Sequence, residues 1–488
     1  MNYPLVFRTI GLILLILAVS MAPSAVVGLI YNEMAAVSAF LLVIFLLTLA
    51  GITIRQFKAK SHALHVREGF LIVTLTWILS SLVSTLPFIF SGAVPDIPTA
   101  IYEATSGITT TGGSAIADVE SLPVSINFWR GTTHWIGGLG VLTIAIAILP
   151  ALGVGGFQIA KAESANNSLD KITPKITDMA KILYGVYTLL TVICVILLLL
   201  GGMHPIDAMF HAFSAISTGG FSSKNTSIAF YDSAYIEIVL MVFMFIGGVN
   251  FALTYMVMAR KKLSLYFANN EFRVYTGIVV VFSLVIFVFL LFGQNFGSWT
   301  DALRSSFFHV ISLMTTTGLY TSNYDAWPAG AILLLFALYF VGGCSGSTTG
   351  SIKCARISIV LNTIRLEFRK RLHPRAVFSM RLKEKAIPSD VAGSAVIFVI
   401  FYILCFFIGA VVLSFDPGTD LYTAVSASAA SLGNVGAGMG EINPLGNYAF
   451  FSGWAKIFIS FLMILGRLEL FTLLLLFTPM FWNPDRYR

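Results

Sequence analysis

The sequence is poor in charge. Only 11% of its 488 residues are Asp, Glu, Lys or Arg, whereas 57% are hydrophobic, and soluble domains carry charge on roughly a quarter of their residues. A soluble fold could not bury this much apolar surface, so a lipid bilayer must serve as the solvent for much of the chain. No polar stretch is long enough to form a separate soluble domain.

The sequence also lacks the motifs of common enzyme and metal sites. Its four cysteines lie in or beside apolar segments without any CxxC pair, which predicts buried thiols rather than disulfides or a zinc site. GxxxxGK[ST], HExxH and GxSxG are absent. His134, His211 and His309 show no metal-ligand spacing and are expected to cap or pack. We therefore expect neither an enzyme nor an organic cofactor, and no nucleic-acid partner.

Long apolar runs are abundant. A membrane-spanning helix needs about 20 mostly apolar residues, and ten runs of that kind predict ten spans. The first run continues to about Ile30, which is too long for a signal peptide, so we expect it to be retained. The ten runs are 9–30, 36–55, 69–92, 128–150, 182–202, 234–259, 273–293, 329–341 extending to about 370, 391–414 and 454–478.

Basic residues are concentrated on one side of this topology. Because Lys and Arg are enriched in cytoplasmic loops, that side is predicted to be cytoplasmic, together with both termini. The basic loops are 55–67, 161–181, 260–273 and 353–385.

The loops on the opposite side lean acidic and include Glu33, Glu103, Asp118 and Asp325. These carboxylates are either ordinary solvated loop charge or the lining of an outer vestibule that enriches cations electrostatically.

Four short segments interrupt the apolar pattern in the same way. Each follows a stretch of about a dozen residues (97–109, 205–216, 300–314 and 419–431) that is too short to span and suits a re-entrant half-helix. A Gly-bearing span follows each time, and such a fixed order is an internal repeat. The segments read SGITTTGGS at 106–114, SAISTGGFS at 214–222, SLMTTTGLY at 312–320 and ASLGNVGAG at 430–438.

These residue types suit a filter for a monovalent cation. Glycine allows backbone conformations that turn successive carbonyl groups inward, and carbonyl oxygens can replace the hydration shell of potassium. Threonine hydroxyls can add further oxygens. No carboxylate lies in the four segments, which argues against magnesium or calcium because these ions usually recruit acidic side chains.

With these four segments, the chain resembles the Trk/Ktr/HKT superfamily of potassium transporters, and within it the TrkH-type membrane subunits. The resemblance implies an all-α membrane protein with ten transmembrane helices and four re-entrant pore half-helices, arranged as four channel-like repeats around one pore. The implied units are an N-terminal pair of spans at 1–67 and repeats at 68–180, 181–271, 272–388 and 389–488. The implied potassium-binding residues are Thr110, Thr111, Gly112, Thr218, Gly219, Gly220, Thr316, Thr317, Gly318, Asn434, Val435 and Gly436.

Ten small residues, GGCSGSTTGS at 342–351, interrupt the second span of the third repeat; we call them the small-residue loop. Their low helix propensity should break the helix. A tight helix crossing is one interpretation, and a flexible barrier across the pore is the other. The resemblance favours the barrier and implies gating roles for Gly346, Ser347, Thr348, Thr349 and Gly350.

Arg467 lies within the last apolar run. An arginine at mid-bilayer costs roughly 2.5–3.5 kcal/mol on insertion scales, so it should face a cavity or a partner. Glu469 is an improbable partner because residues two apart on a helix point to different faces. Arg467 is either a structural ion-pair residue or a positive charge that restrains permeation. The resemblance implies the second role, together with Lys353.

The resemblance also implies partners and a location. It predicts potassium uptake, passive or ion-coupled, by a homodimer in the bacterial inner membrane, regulated by a soluble nucleotide-binding subunit of the TrkA type. The basic segment 365–385 could instead bind anionic membrane lipid. The rival function is secondary transport of another small solute by broken helices, although that class usually has two inverted halves rather than four parallel repeats.

Overall fold

The structure of the protein is a computed structural model. It describes residues 3–57, 66–147, 176–293, 296–373, 381–382, 385–386 and 389–483. Parts of the predicted basic loops 55–67, 161–181 and 353–385, and the basic C-terminus, lie outside these residues. The described residues are almost entirely helical, apart from short connections and one antiparallel pair of two-residue strands, β1 (Arg381–Leu382) and β2 (Lys385–Ala386).

The N-terminal pair of helices and the first two repeats follow the expected order. Each repeat places a short helix between two long segments. The elements are α1 (Tyr3–Ile30), α2 (Met34–Arg55), α3 (Val66–Phe90), α4 (Ile97–Ile108), α5 (Val124–Ala147), α6 (Ile176–Leu200), α7 (Pro205–Ile216), α8 (Ala234–Gly247) and α9 (Phe251–Arg260).

A short helix at Ser264–Ala268 ends the second repeat. The third and fourth repeats have the same order as the first two, and the second span is broken in repeats two, three and four. The helices are α10 (Ser264–Ala268), α11 (Asn270–Phe292), α12 (Trp299–Met314), α13 (Ala329–Leu338), α14 (Cys354–Leu372), α15 (Ser389–Leu413), α16 (Leu421–Leu432), α17 (Gly453–Arg467), α18 (Phe471–Leu474) and α19 (Pro479–Trp482).

Long apolar segments account for the predicted spans. Among the described residues, six helices are long and apolar enough to cross a membrane alone, and the number rises to eight if each of two bent pairs is one span. The remaining two predicted spans correspond to α5 and to α13 with α14. The bends measure 105° between α8 and α9 and 108° after α17, and the third repeat is broken by the non-helical residues 339–353. The expected interruption at 342–351 is therefore confirmed.

The four short helices α4, α7, α12 and α16, hereafter pore helices 1 to 4, are enclosed by protein. Their C-terminal halves are almost wholly buried, whereas α1, α2, α6, α11 and α15 expose Leu, Ile, Val and Phe as lipid-facing helices do. Asp96, Ser298 and Asp420 cap pore helices 1, 3 and 4 by accepting backbone N–H groups of the first turn. These caps begin the helices where the sequence predicts them.

Candidate functional site

Each pore helix ends directly at one of the Thr/Gly segments. We call residues 109–113, 217–221, 315–319 and 433–437 filter loops 1 to 4. The C-terminal end of a helix carries a partial negative charge because its last carbonyl groups lack intrahelical partners. Four such ends facing one region favour a cation there.

The four filter loops share one unusual backbone conformation. Thr110, Thr218, Thr316 and Asn434 have φ between 51° and 55°, and the glycine two residues later has φ between 75° and 91°. A backbone that alternates between right- and left-handed conformations turns successive carbonyl groups to one side. Glycine adopts the second left-handed position without steric cost. The imperfect fourth loop, GNVG, therefore keeps the same backbone as the Thr-rich loops.

The loops meet in a closed ring. A Cβ atom added to any of the four filter glycines would overlap the carbonyl oxygen of the residue that precedes the glycine of the next repeat. These contacts link repeat 1 to repeat 2, repeat 2 to repeat 3, repeat 3 to repeat 4, and repeat 4 back to repeat 1. The pairs are Gly112 with Gly219, Gly220 with Thr317, Gly318 with Val435, and Gly436 with Thr111.

Serine and threonine hydroxyls brace the loops against their own pore helices. Ser106, Ser214 and Ser312 each donate a hydrogen bond of 2.6–2.8 Å to the carbonyl seven residues later. The Thr109 hydroxyl bonds that of Thr111 at 2.8 Å, and filter loop 3 repeats this contact. These hydroxyls therefore support the backbone rather than line the centre of the ring.

The four residues with left-handed backbone near the start of the filter loops differ in the hydrogen bonds that their side chains make. The Thr110 hydroxyl and the Asn434 side-chain oxygen are buried and have no hydrogen-bond partner within the described part of the chain. The Thr218 hydroxyl donates to that of Thr348 at 3.1 Å, and the Thr316 hydroxyl accepts the Gly350 N–H at 2.8 Å. The Asn434 amide nitrogen donates to Thr111 at 3.1 Å, which ties loop 4 to loop 1.

The small-residue loop lies against three of the four filter loops. Besides the contacts with Thr218 and Thr316, the Ser351 hydroxyl donates to the Gly433 carbonyl at 3.1 Å. The Gly342 N–H donates to the Ile352 carbonyl at 2.9 Å and closes the base of the loop. The segment is therefore an ordered, non-helical loop that is bonded to filter loops 2, 3 and 4.

A buried carboxylate anchors this loop from behind. Glu271 of α11 accepts the Ser345 N–H at 2.7 Å, the Ser345 hydroxyl at 3.0 Å and the Ala355 N–H at 3.1 Å. The Lys353 ammonium donates to the Thr349 hydroxyl at 2.9 Å. Glu271 was not among the predicted site residues. Glu271 lies near the start of a span and beside a predicted basic loop. In the sequence it therefore looks like an ordinary acidic residue at the membrane surface.

Arg467 is the last residue of α17 and lies beneath the same loop. One guanidinium nitrogen donates to the Thr348 carbonyl at 2.8 Å, and the other two nitrogens have no partner among the described residues. Glu469 pairs with Arg356 at 2.5 Å and not with Arg467, whose partner it was not expected to be from its spacing. No carboxylate pairs with Arg467 in the described ranges, so the structural ion-pair interpretation lacks its partner.

Basic side chains on the side opposite the predicted basic loops form ion pairs and hydrogen bonds within and between repeats. Arg304 pairs with Glu237 at 2.8 Å, and the Lys456 ammonium donates to the Thr99 hydroxyl at 3.0 Å. Arg130 pairs with Glu103 at 2.7 Å, and both side chains are buried. The expectation that Glu103 belongs to an acidic outer loop is therefore wrong. A charged residue within the apolar half-helix IYEATSGI was the sequence signal for its burial.

The histidines pack and bridge, as expected. One His134 ring nitrogen lies 2.7 Å from the Gly107 carbonyl, and the other accepts the Phe221 N–H at 3.0 Å. His211 and His309 each bond the preceding turn of their own pore helix and a residue after the filter glycine. His134 thus bonds filter loop 2, whereas His211 and His309 bond residues that follow filter loops 2 and 3.

Four pore helices and a closed ring of filter loops define an all-α, multi-pass membrane protein with one four-part pathway. The chain belongs to the TrkH family of cation transport proteins, whose model matches residues 34–484.

The chain is similar to individual members of this family over nearly its full length. The chain is 36% identical to the Trk system potassium uptake protein TrkH of Salmonella typhimurium and 35% identical to that of Escherichia coli, in both cases over 99% of this chain and 100% of the relative. It is also similar to the crystal structure of the potassium transporter TrkH from Vibrio parahaemolyticus, with a TM-score of 0.91, 35% identity, and coverage of 99% and 100% of the two chains.

Proposed function

We propose that this protein takes up potassium across the bacterial inner membrane through the pathway enclosed by filter loops 1 to 4. The closed ring of backbone carbonyls carries this proposal, because carbonyl oxygens at fixed positions can replace the hydration shell of potassium. The names of the relatives, which are potassium uptake proteins, support the same ion.

Backbone and side-chain oxygens of the filter loops are the proposed ion ligands. Within the ring, the carbonyl groups of Thr111, Gly219, Thr317 and Val435 lie one residue before the four glycines. In loops 1 and 4, the side-chain oxygens of Thr110 and Asn434, which have no hydrogen-bond partner among the described residues, add two further candidate ligands. The proposed ligands therefore form two sets. One set is the side-chain oxygens of Thr110 and Asn434, and the other is the carbonyl oxygens of the ring.

The small-residue loop and Arg467 are the proposed gate. The loop is hydrogen-bonded to filter loops 2, 3 and 4, and the Arg467 guanidinium adds a positive charge at Thr348. In this arrangement the gate opens when the loop leaves the filter residues, and Lys353 and Glu271 set how firmly it is held.

Regulation and assembly complete the proposal. The basic cytoplasmic surface docks a soluble nucleotide-binding partner of the TrkA type, and the protein assembles as a homodimer with one pore in each chain and anionic lipid at its edges. A mass measurement in mild detergent at several protein concentrations tests the dimer. A monomer at every concentration would contradict it.

Ion flux into liposomes that contain only the purified chain tests the transport activity. We expect potassium and rubidium to move faster than sodium and lithium, because the carbonyl ring suits the larger, weakly hydrated ions. Equal rates for all four ions would reject the filter, and flux of an organic solute would favour the rival function.

A further inference from the structure

We propose that Glu103 and Arg130 are a positioning pair that holds the outer half of filter loops 1 and 2 in the geometry required for ion selectivity. This inference rests on the proposed potassium filter and adds two residues that lie behind it. Their hydrogen bonds reach residues that follow the filter glycines, such as Ser114, Ala115 and Ser222, so we expect their effect on ions to act through the backbone that they hold.

Glu103 connects pore helix 1 to the chain that leaves filter loop 1. Its carboxylate accepts the Ser114 hydroxyl at 3.1 Å and the Ala115 N–H at 3.1 Å. Ser106, one turn further along the same helix, donates to the Gly113 carbonyl at 2.7 Å. Residues 113–115 are thus fixed to one face of pore helix 1, immediately after the filter glycine.

Arg130 extends this support to the next repeat. Its guanidinium pairs with Glu103 at 2.7 Å, donates to the Ser222 carbonyl at 3.3 Å, and lies 4.2 Å from the centre of the Phe221 ring. The N–H of Phe221 is held by His134, one helical turn beyond Arg130. One face of α5 therefore fixes the residues that follow the glycine of filter loop 2.

The charged pair is specific to the boundary between repeats 1 and 2. The position three residues before the bracing serine is occupied by Glu103, His211 and His309 in the first three repeats, and by Ala427 in the fourth. The two histidines make neutral hydrogen bonds of 3.0–3.4 Å to residues beyond the filter. Charge-assisted hydrogen bonds are shorter and stronger, so the filter is held most firmly on one side.

Burial makes this pair sensitive to the loss of either partner. The exposed fractions of the Arg130 and Glu103 side chains are 1% and 0%. Removing one charge from such a pair leaves the other buried without compensation. The remaining group must find new partners among the filter loops, which moves the carbonyl ring that it previously supported.

The test compares potassium and sodium flux into liposomes for wild type, Glu103→Gln and Ser114→Ala. We expect Glu103→Gln to lower the potassium-to-sodium flux ratio by about tenfold, which is about 1.4 kcal/mol of discrimination. Ser114→Ala removes the hydroxyl that bonds Glu103, Arg130 and the Ile116 N–H but leaves the charged pair intact, so it should lower the ratio by a smaller factor. If Glu103→Gln does not fold, Ser114→Ala decides the test.

Glu237→Gln is the matched control, because it breaks another arginine–carboxylate pair on the same side, Arg304–Glu237, and neither residue has a hydrogen bond to a filter loop in the described ranges. Its flux ratio should equal that of wild type. An unchanged ratio in Glu103→Gln and Ser114→Ala, with a selective wild type, would overturn this inference alone. A wild type without potassium preference would overturn the proposed function and this inference with it.

Discussion

Gly350 donates its backbone N–H to the Thr316 hydroxyl at 2.8 Å, so the small-residue loop is bonded directly to a residue of filter loop 3. The Thr218 hydroxyl instead donates to that of Thr348 at 3.1 Å. Hydroxyl groups of filter loops 2 and 3 therefore bond the small-residue loop, one as donor and one as acceptor. Under the proposed function, an ion that uses the Thr316 hydroxyl oxygen would compete for it with the Gly350 N–H.

Removing one shared hydroxyl should weaken closure. Thr316→Val keeps the β-branched shape but leaves the Gly350 N–H without its acceptor, and a buried hydrogen bond contributes about 0.5–1.5 kcal/mol. We expect basal potassium flux to rise several-fold. Thr315→Val is the control, since the Thr315 hydroxyl bonds only within filter loop 3 and its pore helix. Equal flux in the two variants would show that the contact between Thr316 and the small-residue loop does not restrain flux.

The filter glycines should tolerate no side chain. Gly220→Ser and Gly318→Ser place a Cβ against the carbonyl oxygens of Thr317 and Val435 in a left-handed conformation that other residues rarely adopt. We expect the potassium-to-sodium flux ratio to fall in both variants. Gly277→Ser, at a helical position with no atom within 4 Å of the added Cβ, is the control. A normal ratio in both filter variants would refute the filter assignment.

Shortening the small-residue loop should open the pathway. Deleting part of 346–350 removes the segment that carries the Thr348 and Gly350 contacts, so basal flux per folded molecule should rise. Glu271→Gln offers a milder variant, because a neutral amide holds the Ser345 and Ala355 N–H groups less strongly than a carboxylate does. A folded deletion variant with wild-type flux would favour the helix-crossing interpretation.

Arg467 should act through its charge. A guanidinium remains protonated, and at about 4–6 Å with an effective dielectric near 20 it repels a monovalent cation by about 3–4 kcal/mol. Water in the cavity lowers this value. Arg467→Ala should increase potassium flux, and Arg467→Lys should change it less.

Flux normalised to folded protein checks this expectation for Arg467. The structural ion-pair interpretation predicts poor folding or reduced flux for Arg467→Ala, because a partner carboxylate would be left unpaired. A folded alanine variant that conducts no faster than wild type would exclude the electrostatic role.

Local sequence patterns were sufficient for the class of fold and for the elements of the pore. Apolar length predicts spans, and a Thr/Gly segment after a short half-helix predicts a re-entrant loop wherever it occurs in the chain. The pore helices accordingly begin and end within two residues of the predicted bounds. The break at 342–351 is likewise a local property, because ten small residues have low helix propensity.

Contacts between distant residues could not be predicted in the same way. The closed ring joins Gly436 to Thr111, and Glu271 anchors a loop more than seventy positions away. A hydropathy pattern carries no information on which loop lies against which. Glu103 is an example. Its position along the chain suggested an outer acidic loop, whereas in the structure it is buried and paired with Arg130.

The sequence by itself determined that this chain crosses a membrane repeatedly and carries four equivalent glycines with oxygen-rich neighbours. Only the tertiary structure decided that those glycines close one ring, that a loop covers it on one side, and that Glu103 and Arg130 hold it from behind. The reason is physical. Backbone conformation and hydropathy are set by neighbouring residues, whereas a buried charge or hydroxyl acquires its role from whichever partner the folded chain brings within hydrogen-bond distance.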